Sequence, residues 1–224
     1  MRSATLLFLL LGACQEPDIL LGGIPHVYQK PGLGGEACLE MVLRPGGWGL
    51  TQEDLFRLVE VDLTSSSGCY VDKLDRLLGE IGQGHQLVRA APEGTREQWR
   101  ALRADLAAGR PSIVCVRHRE RPGGPEVERF RLVIGHAAST REVVLHDPTR
   151  RDGRSRRVPL HRFLERWPVE TEGGRQVVRL RVELRPPEGQ PRTSTARLAR
   201  HIAALKRRLS GVSVVAEPPF AVRK

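Results

Sequence analysis

The amino-acid sequence predicts an α+β fold. Helical segments occupy the first half of the chain and strand segments follow them, an order that is typical of α+β domains. Hydrophobic residues make up 40% of the chain, which is enough to bury a core and excludes wholesale disorder. At 224 residues, the chain has room for one domain of ordinary size with a small appendage.

Four helices are expected ahead of the strands. Thr51, with Asp54 three positions later, has the spacing of an N-terminal cap. The third segment carries apolar residues on one face, and Gly109 followed by Pro111 ends the fourth. The four segments are Glu36–Leu43, Thr51–Val59, Val71–Ile81 and Trp99–Leu106.

Four strand segments follow these helices. The first contains a short apolar run bounded by a glycine and a proline on one side, the pattern of a buried strand. The segments are Ser112–Arg117, Phe130–Ile134, Glu142–His146 and Gln176–Leu184.

Residues 186–224 are expected to form a separate appendage. A polar linker begins at Pro186 and leads to an amphipathic helix, Ser194–Leu209, and a short tail. Its apolar stripe is flanked by arginines and lysines, so the helix either packs against the domain or lies on a membrane surface.

The N-terminus indicates export and lipid anchoring. Residues 1–13 have a basic start and a short apolar run that is too short to span a bilayer. The run ends in Leu11-Gly12-Ala13-Cys14, which resembles the bacterial lipobox, where acyl chains such as palmitate anchor the cysteine. An ordinary secretory signal is the alternative. We expect a tether over residues 14–23, and Gln15 after the cysteine resembles sorting to the outer membrane, facing the periplasm or the cell surface.

Charge is distributed unevenly along the chain, whose formal net charge is +10. The segment 15–95 has 6 basic and 12 acidic side chains, and the segment 96–224 has 29 basic and 14 acidic. Five arginines fall within Arg150–Arg157 alone. An exported protein does not meet nucleic acid, so none is expected as a partner. Anionic lipid or lipopolysaccharide is the candidate polyanion, and a solvated hairpin is the alternative.

Three cysteines remain besides Cys14. None has the close spacing of a zinc site or of a redox pair, so no metal and no cofactor is expected. Cys115 falls in a predicted strand and is expected to be a core thiol. Because exported chains meet oxidising conditions, Cys38 and Cys69 are the candidate disulfide.

Residues 25–167 resemble the papain-like superfamily, and specifically cysteine peptidase family thirty-nine, whose members trim double-glycine leaders from bacteriocins. The resemblance implies a papain-like domain over residues 24–185, with N-terminal helices packed on an antiparallel sheet. The pieces that carry it, in order, are Gln29, Glu36 to Leu43, Leu50 to Leu55, Gly109 to Val114, Arg129 to Gly135, Val143 to Pro148 and Val158 to Trp167.

The same resemblance implies that the catalytic dyad is substituted. Gln29 stands at the oxyanion-binding position and Asp147 at the position of the carboxylate that orients the base. The nucleophile position falls on Gly34 and the base position on Arg129, and neither side chain can perform these roles. We therefore expect a pseudopeptidase that holds an extended peptide or an envelope protein without cutting it. Asp147 is expected to pair with Arg129.

An active thiol peptidase is the alternative. Cys38 would be its nucleophile and His136 or His146 its base. Cys38 would then lie about 5 Å inside the helix, where the backbone amides are already used in helical hydrogen bonds. For that reason a structural role is favoured for Cys38. His136 follows Gly135 at the end of a predicted strand, so a solvated turn position is favoured for it.

Overall fold

The computed structural model describes residues 17–59, 70–119, 121 and 123–184. Within them, five helices and eight strands follow one another along the chain. In order these are β1 (Ile19–Leu20), α1 (Gly34–Leu43), α2 (Gln52–Val59), α3 (Val71–Glu80), β2 (His85–Ala90), α4 (Thr95–Ala107), β3 (Ser112–Arg119), β4 (Glu126–Ala137), β5 (Glu142–His146), β6 (Arg156–Pro159), α5 (Leu160–Arg166), β7 (Val169–Thr171) and β8 (Gly174–Val182).

The strands form an antiparallel sheet in the order β2-β8-β3-β4-β5-β6. At one side, the two-residue β1 pairs with β4, and β7 pairs with β8. The register of β4 against β5 shifts between Val133 and Gly135, which marks a bulge near the middle of the pairing. The antiparallel sheet and the leading helices confirm the predicted fold class.

Hydrophobic cores lie on both faces of the sheet. Helices α1, α2 and α3 cover one face, where Leu39 and Leu74 contribute fully buried side chains. Helices α4 and α5 cover the other face through Trp99, Phe163 and Trp167. A sheet that is covered on both faces explains why its central strands carry near-continuous apolar runs.

The predicted helices and strands are present, with different limits. Helix α1 begins at Gly34, two residues before the predicted start, and β4 extends well beyond the predicted Phe130–Ile134. Strands β2, β6 and β7 were not predicted. These three are short or lie at an edge of the sheet, and they contain few strand-forming residues, so the local pattern does not reveal them.

The segment predicted as a tether is partly built into the sheet. Ile19–Leu20 pairs with β4 opposite His136 and Gly135. A β-carbon on Gly135 would lie 2.4 Å from the carbonyl oxygen of Ile19, so glycine is required for this close approach.

Several predicted features lie outside the described residues. These are the predicted lipidation site Cys14, the candidate half-cystine Cys69 and the predicted C-terminal helix Ser194–Leu209. Of the helices in the described part of the chain, none has the length and apolar content needed to cross a membrane.

Candidate functional site

The start of α1 lies beside the side chain of Gln29. Gly34 is the first residue of the helix and is buried. A β-carbon placed on Gly34 would lie 3.0 Å from Oε1 of Gln29. The backbone N–H of Gln29 donates to the backbone carbonyl of Pro148 at 2.8 Å. This hydrogen bond connects the segment before α1 to the turn after β5. The structure therefore brings together three positions, Gln29, Gly34 and Asp147, that the sequence grouped into one site.

Phe130, and not Arg129, lies across from Gly34. The β-carbon of Phe130 is 3.9 Å from the position that a β-carbon on Gly34 would take. Side chains alternate along a strand, so Arg129 and Arg131 point to the other face of the sheet. On that face Arg129 lines a cleft together with Gln29 and Asp147, and its assignment to the base position stays a prediction. Phe130 can no more accept a proton than arginine can.

A tyrosine closes the space around the first turn of α1. The ring of Tyr70 packs edge-on against Phe130, with ring centroids 4.9 Å apart. Its hydroxyl accepts from the amide of Gly35 at 3.2 Å and donates to Oε2 of Glu36 at 2.8 Å. Burial raises the pKa of the Glu36 carboxyl, and its other oxygen, Oε1, has no hydrogen-bond partner in the described residues. The first turn of α1 is thus filled by side chains and offers no reactive group.

Asp147 forms an ion pair with Arg131, and the expected pairing of Asp147 with Arg129 stays a prediction. Nε of Arg131 lies 3.2 Å from Oδ2 of Asp147, and both side chains are more than nine-tenths buried. Oδ1 of Asp147 accepts from the amide of Thr149 at 3.0 Å and from its hydroxyl. The Asp147 carboxylate is therefore fully engaged.

Cys38 is a fully buried, free thiol on α1. Burial raises its pKa strongly, so the thiolate does not form at neutral pH. The structure therefore does not support the expected disulfide with Cys69, which lies outside the described residues. Cys115 is buried in the sheet core, which confirms the core thiol that the sequence predicts.

Neither candidate base lies where it could serve Cys38. His136 lies inside β4 and packs edge-on against Trp99 of the opposite core, at a centroid distance of 5.1 Å. The expectation of a solvated turn residue is wrong, because β4 continues past the bulge and the His136 side chain is 4% exposed. Burial lowers the pKa of His136, so its imidazole is held neutral in the core.

Both ring nitrogens of His146 are already hydrogen-bonded. Its Nδ1 accepts from the amide of Ser155 at 3.0 Å, which leaves Nε2 as the donor to the carbonyl of Ile24 at 3.1 Å. The tautomer is inferred from these partners. Burial lowers the pKa of His146. The two hydrogen bonds of its ring connect the N-terminal segment to the turn between β5 and β6.

A cleft of about 510 Å³ extends from Gln29 and Asp147 along the sheet to α5. Its apolar wall includes Val116, Leu145 and Phe163. We call it the arginine cleft because seven arginines line it: Arg117, Arg129, Arg131, Arg150, Arg156, Arg162 and Arg166. Of these, sequence reasoning singled out Arg129 and the members of the run 150–157. The other members are separated along the chain and meet only through the packing of α5 against the sheet.

Metal chemistry finds no support in the described part of the chain. No group of three or more histidine, cysteine, aspartate or glutamate side chains there is arranged to hold an ion.

The fold is similar to that of solved peptidase structures. A protein from Bacillus anthracis described as a C39-like peptidase, C39 being family thirty-nine, matches with a TM-score of 0.54 and 17% identity over 75% of this chain and 98% of its own. The peptidase domain of Streptococcus ComA, a bifunctional ABC transporter involved in quorum sensing, has a TM-score of 0.49 and 15% identity over 71% and 98%. No family model and no curated protein matches the sequence. The first likeness confirms the predicted papain-like fold.

Proposed function

We propose that this chain is a lipid-anchored protein of the bacterial cell envelope whose peptidase-type domain binds a peptide or protein without cutting it. The observation that carries the proposal is the first turn of α1. Gly34 stands there without a nucleophile, and the residue facing it is Phe130. Fold alone does not fix activity, so the side chains at this turn decide the matter.

The thiol peptidase alternative has little to support it. Cys38 is one helical turn further along α1, is not exposed to solvent, and has a raised pKa. His136 belongs to the core on the far side of the sheet, and His146 has both nitrogens in use. A thiolate–imidazole pair would need a rearrangement of α1 and of the sheet.

Binding is tested with a degenerate peptide library passed over the immobilised full chain, followed by mass spectrometry of what is retained. The wild-type chain should return intact peptides. Gln29→Trp should lose them, because Gln29 lies at the mouth of the arginine cleft. The matched control is Tyr28→Trp, at an exposed neighbouring position where the ring packs under Arg151. Cleaved peptides, or equal retention by both variants, would contradict the proposal.

Anchoring is tested separately by growing cells with labelled palmitate and partitioning the protein in detergent. The wild-type chain should carry label and enter the detergent phase. Cys14→Ser should carry none and should be released or left unprocessed. An unlabelled wild-type protein would refute lipid anchoring and leave the peptide-binding proposal standing.

A further inference from the structure

The arginine cleft carries a large excess of positive charge. Seven guanidinium groups line it against one carboxylate, that of Asp147. His118 lines the cleft too, and burial lowers the pKa of its imidazole, so it adds no charge at neutral pH. Arg162 and Arg166 project from the exposed side of α5.

Part of this charge is neutralised inside the protein. Arg131 pairs with Asp147. Arg150 pairs with Asp152 through two hydrogen bonds, from Nε at 2.9 Å and from Nη2 at 3.0 Å. Arg117 contacts Glu126 at 3.0 Å and donates to two backbone carbonyls. These pairs fix the inner wall of the cleft and position its guanidinium groups.

Three further arginines form no ion pair with a carboxylate in the described part of the chain, although the hydrogen bond from Arg150 and the charge of Arg156 both help to lower the pKa of Asp152. The three are Arg156 on β6 and Arg162 and Arg166 on α5, and all of them face the same space. Like charges that converge on one cleft raise the energy of the free protein, and a bound anion removes that cost. The arrangement of these three guanidinium groups therefore favours the binding of an anionic ligand.

The shape and lining of the cleft favour a phosphoryl group on a larger molecule. Guanidinium groups match phosphate oxygens in a two-pronged geometry, and several of them can share one multiply charged anion. A volume of about 510 Å³ exceeds what an inorganic ion needs. The apolar wall of Val116, Leu145 and Phe163 would contact an attached carbon skeleton.

We propose that the arginine cleft binds a phosphoryl-bearing anion. The ligand is either the headgroup of an anionic phospholipid or a soluble phosphorylated molecule, since both present the same chemistry. This function does not depend on whether the domain also holds a peptide, because it rests on the arginines of β6 and α5.

The test compares two double variants of the full chain, each carrying Cys14→Ser so that no lipid is attached. The cleft variant is Arg162→Gln with Arg166→Gln. The control is Arg96→Gln with Arg100→Gln, which removes the same charge from exposed positions on α4 outside the cleft. Circular dichroism verifies that both are folded.

Pyrophosphate binding is measured by calorimetry, and vesicle binding by sedimentation with phosphatidylcholine alone and with added phosphatidylglycerol. The cleft variant should bind at least one of the two phosphoryl probes about tenfold more weakly than the parent and the control, as expected for the loss of charge-assisted hydrogen bonds. Pyrophosphate binding alone identifies a soluble ligand, and dependence on phosphatidylglycerol identifies a lipid headgroup.

Three results would overturn the proposal. The parent could bind neither probe. Both double variants could weaken binding equally, which would mean that net charge and not the cleft attracts the anion. Citrate could bind as tightly as pyrophosphate, which would mean that the cleft does not select phosphoryl groups.

Discussion

Nε of Arg131 lies 3.2 Å from Oδ2 of Asp147, and both side chains are buried. In a papain-like peptidase the carboxylate at this place would orient a histidine. Here it pairs with the guanidinium of Arg131. Burial lowers the pKa of Arg131, and the charge of Asp147 offsets part of that effect. The two side chains form a buried ion pair that also lines the arginine cleft.

The first prediction concerns this ion pair. Arg131→Met and Asp147→Leu should each lower the free energy of unfolding by about 3–5 kcal/mol, because each leaves the other charge buried and unpaired. The double variant should cost less than the sum, since no charge is then left uncompensated. Urea denaturation of the four proteins gives the coupling energy. Additive costs would mean that the two groups do not interact.

The second prediction concerns Cys38. Its thiol should not react with iodoacetamide in the native protein, because it is fully buried and its pKa is raised by burial. Peptide mass mapping should find it alkylated only when denaturant unfolds the chain. Rapid alkylation of Cys38 under native conditions would revive the thiol peptidase alternative.

The sequence predicted much of this arrangement, and its errors have physical causes. The resemblance to the peptidase family grouped Gln29, Gly34 and Asp147, and the structure places them close together. The resemblance did not show that Phe130 packs beside Gly34, because one step along a strand reverses the face of the side chain. The bulge near Gly135 and the length of β4 are set by tertiary pairing, which is why His136 was misplaced.

The arginine cleft could not be read from the sequence. Arg117, Arg156 and Arg166 come from three different elements, and only the packing of α5 against the sheet brings them together. Arginine is so frequent in this chain, with 32 residues, that no spacing distinguished the cleft members from the rest. Tyr70 was missed for a similar reason, because it lies 34 positions from its partner Glu36.

The third prediction concerns acid stability. Burial alone would raise the pKa of Asp105, but hydrogen bonds from Arg179 and Arg110 outweigh it and hold the pKa below its ordinary value. A carboxylate whose pKa is lowered by folding stabilises the protein above its pKa in the unfolded chain, about 3.9. This stabilisation is lost as the pH falls through its lower pKa in the folded protein. Asp105→Asn should cost about 3 kcal/mol at pH 7, and the cost should shrink below about pH 4.

Chemical denaturation across a pH series measures this effect. The control is Asp72→Asn, where an exposed carboxylate pairs with Arg89 and should contribute less than about 1 kcal/mol. An equal loss in both variants, or a cost of Asp105→Asn that does not change with pH, would contradict the assignment.

The fourth prediction concerns the buried carboxyl of Glu36. Burial raises the pKa of Glu36, so the folded protein favours the protonated carboxyl. The stability that this carboxyl contributes is full below its pKa of about 4.3 in the unfolded chain. It is lost as the pH rises through its higher pKa in the folded protein. Glu36→Gln should therefore be more stable than the wild type at neutral pH, by an amount that falls as the pH drops. Glu40→Gln is the contrast, since Glu40 is paired with Arg44 and accepts from the Gln52 amide, and its loss should destabilise.

The last prediction tests which residue faces Gly34. In the double variant Gly34→Cys with Phe130→His, the new thiol should lie beside the new imidazole at the first turn of α1. A neighbouring imidazolium and a helix N-terminus both lower a thiol pKa from its usual value of about 8.5. The pH profile of iodoacetamide alkylation should then shift to lower pH, compared with Gly34→Cys alone. Among the described residues, the atom nearest to the new β-carbon is Oε1 at the flexible end of Gln29, at 3.0 Å, so the variant should fold.

The matched control is Gly34→Cys with Arg129→His. Its imidazole would project to the opposite face of the sheet, so the thiol profile should remain that of the single variant. Neither double variant should hydrolyse peptides efficiently, because Asp147 is held by Arg131 and cannot orient the new imidazole. A shift in the Arg129→His variant with none in the Phe130→His variant would reverse the assignment of faces and restore Arg129 to the position opposite Gly34.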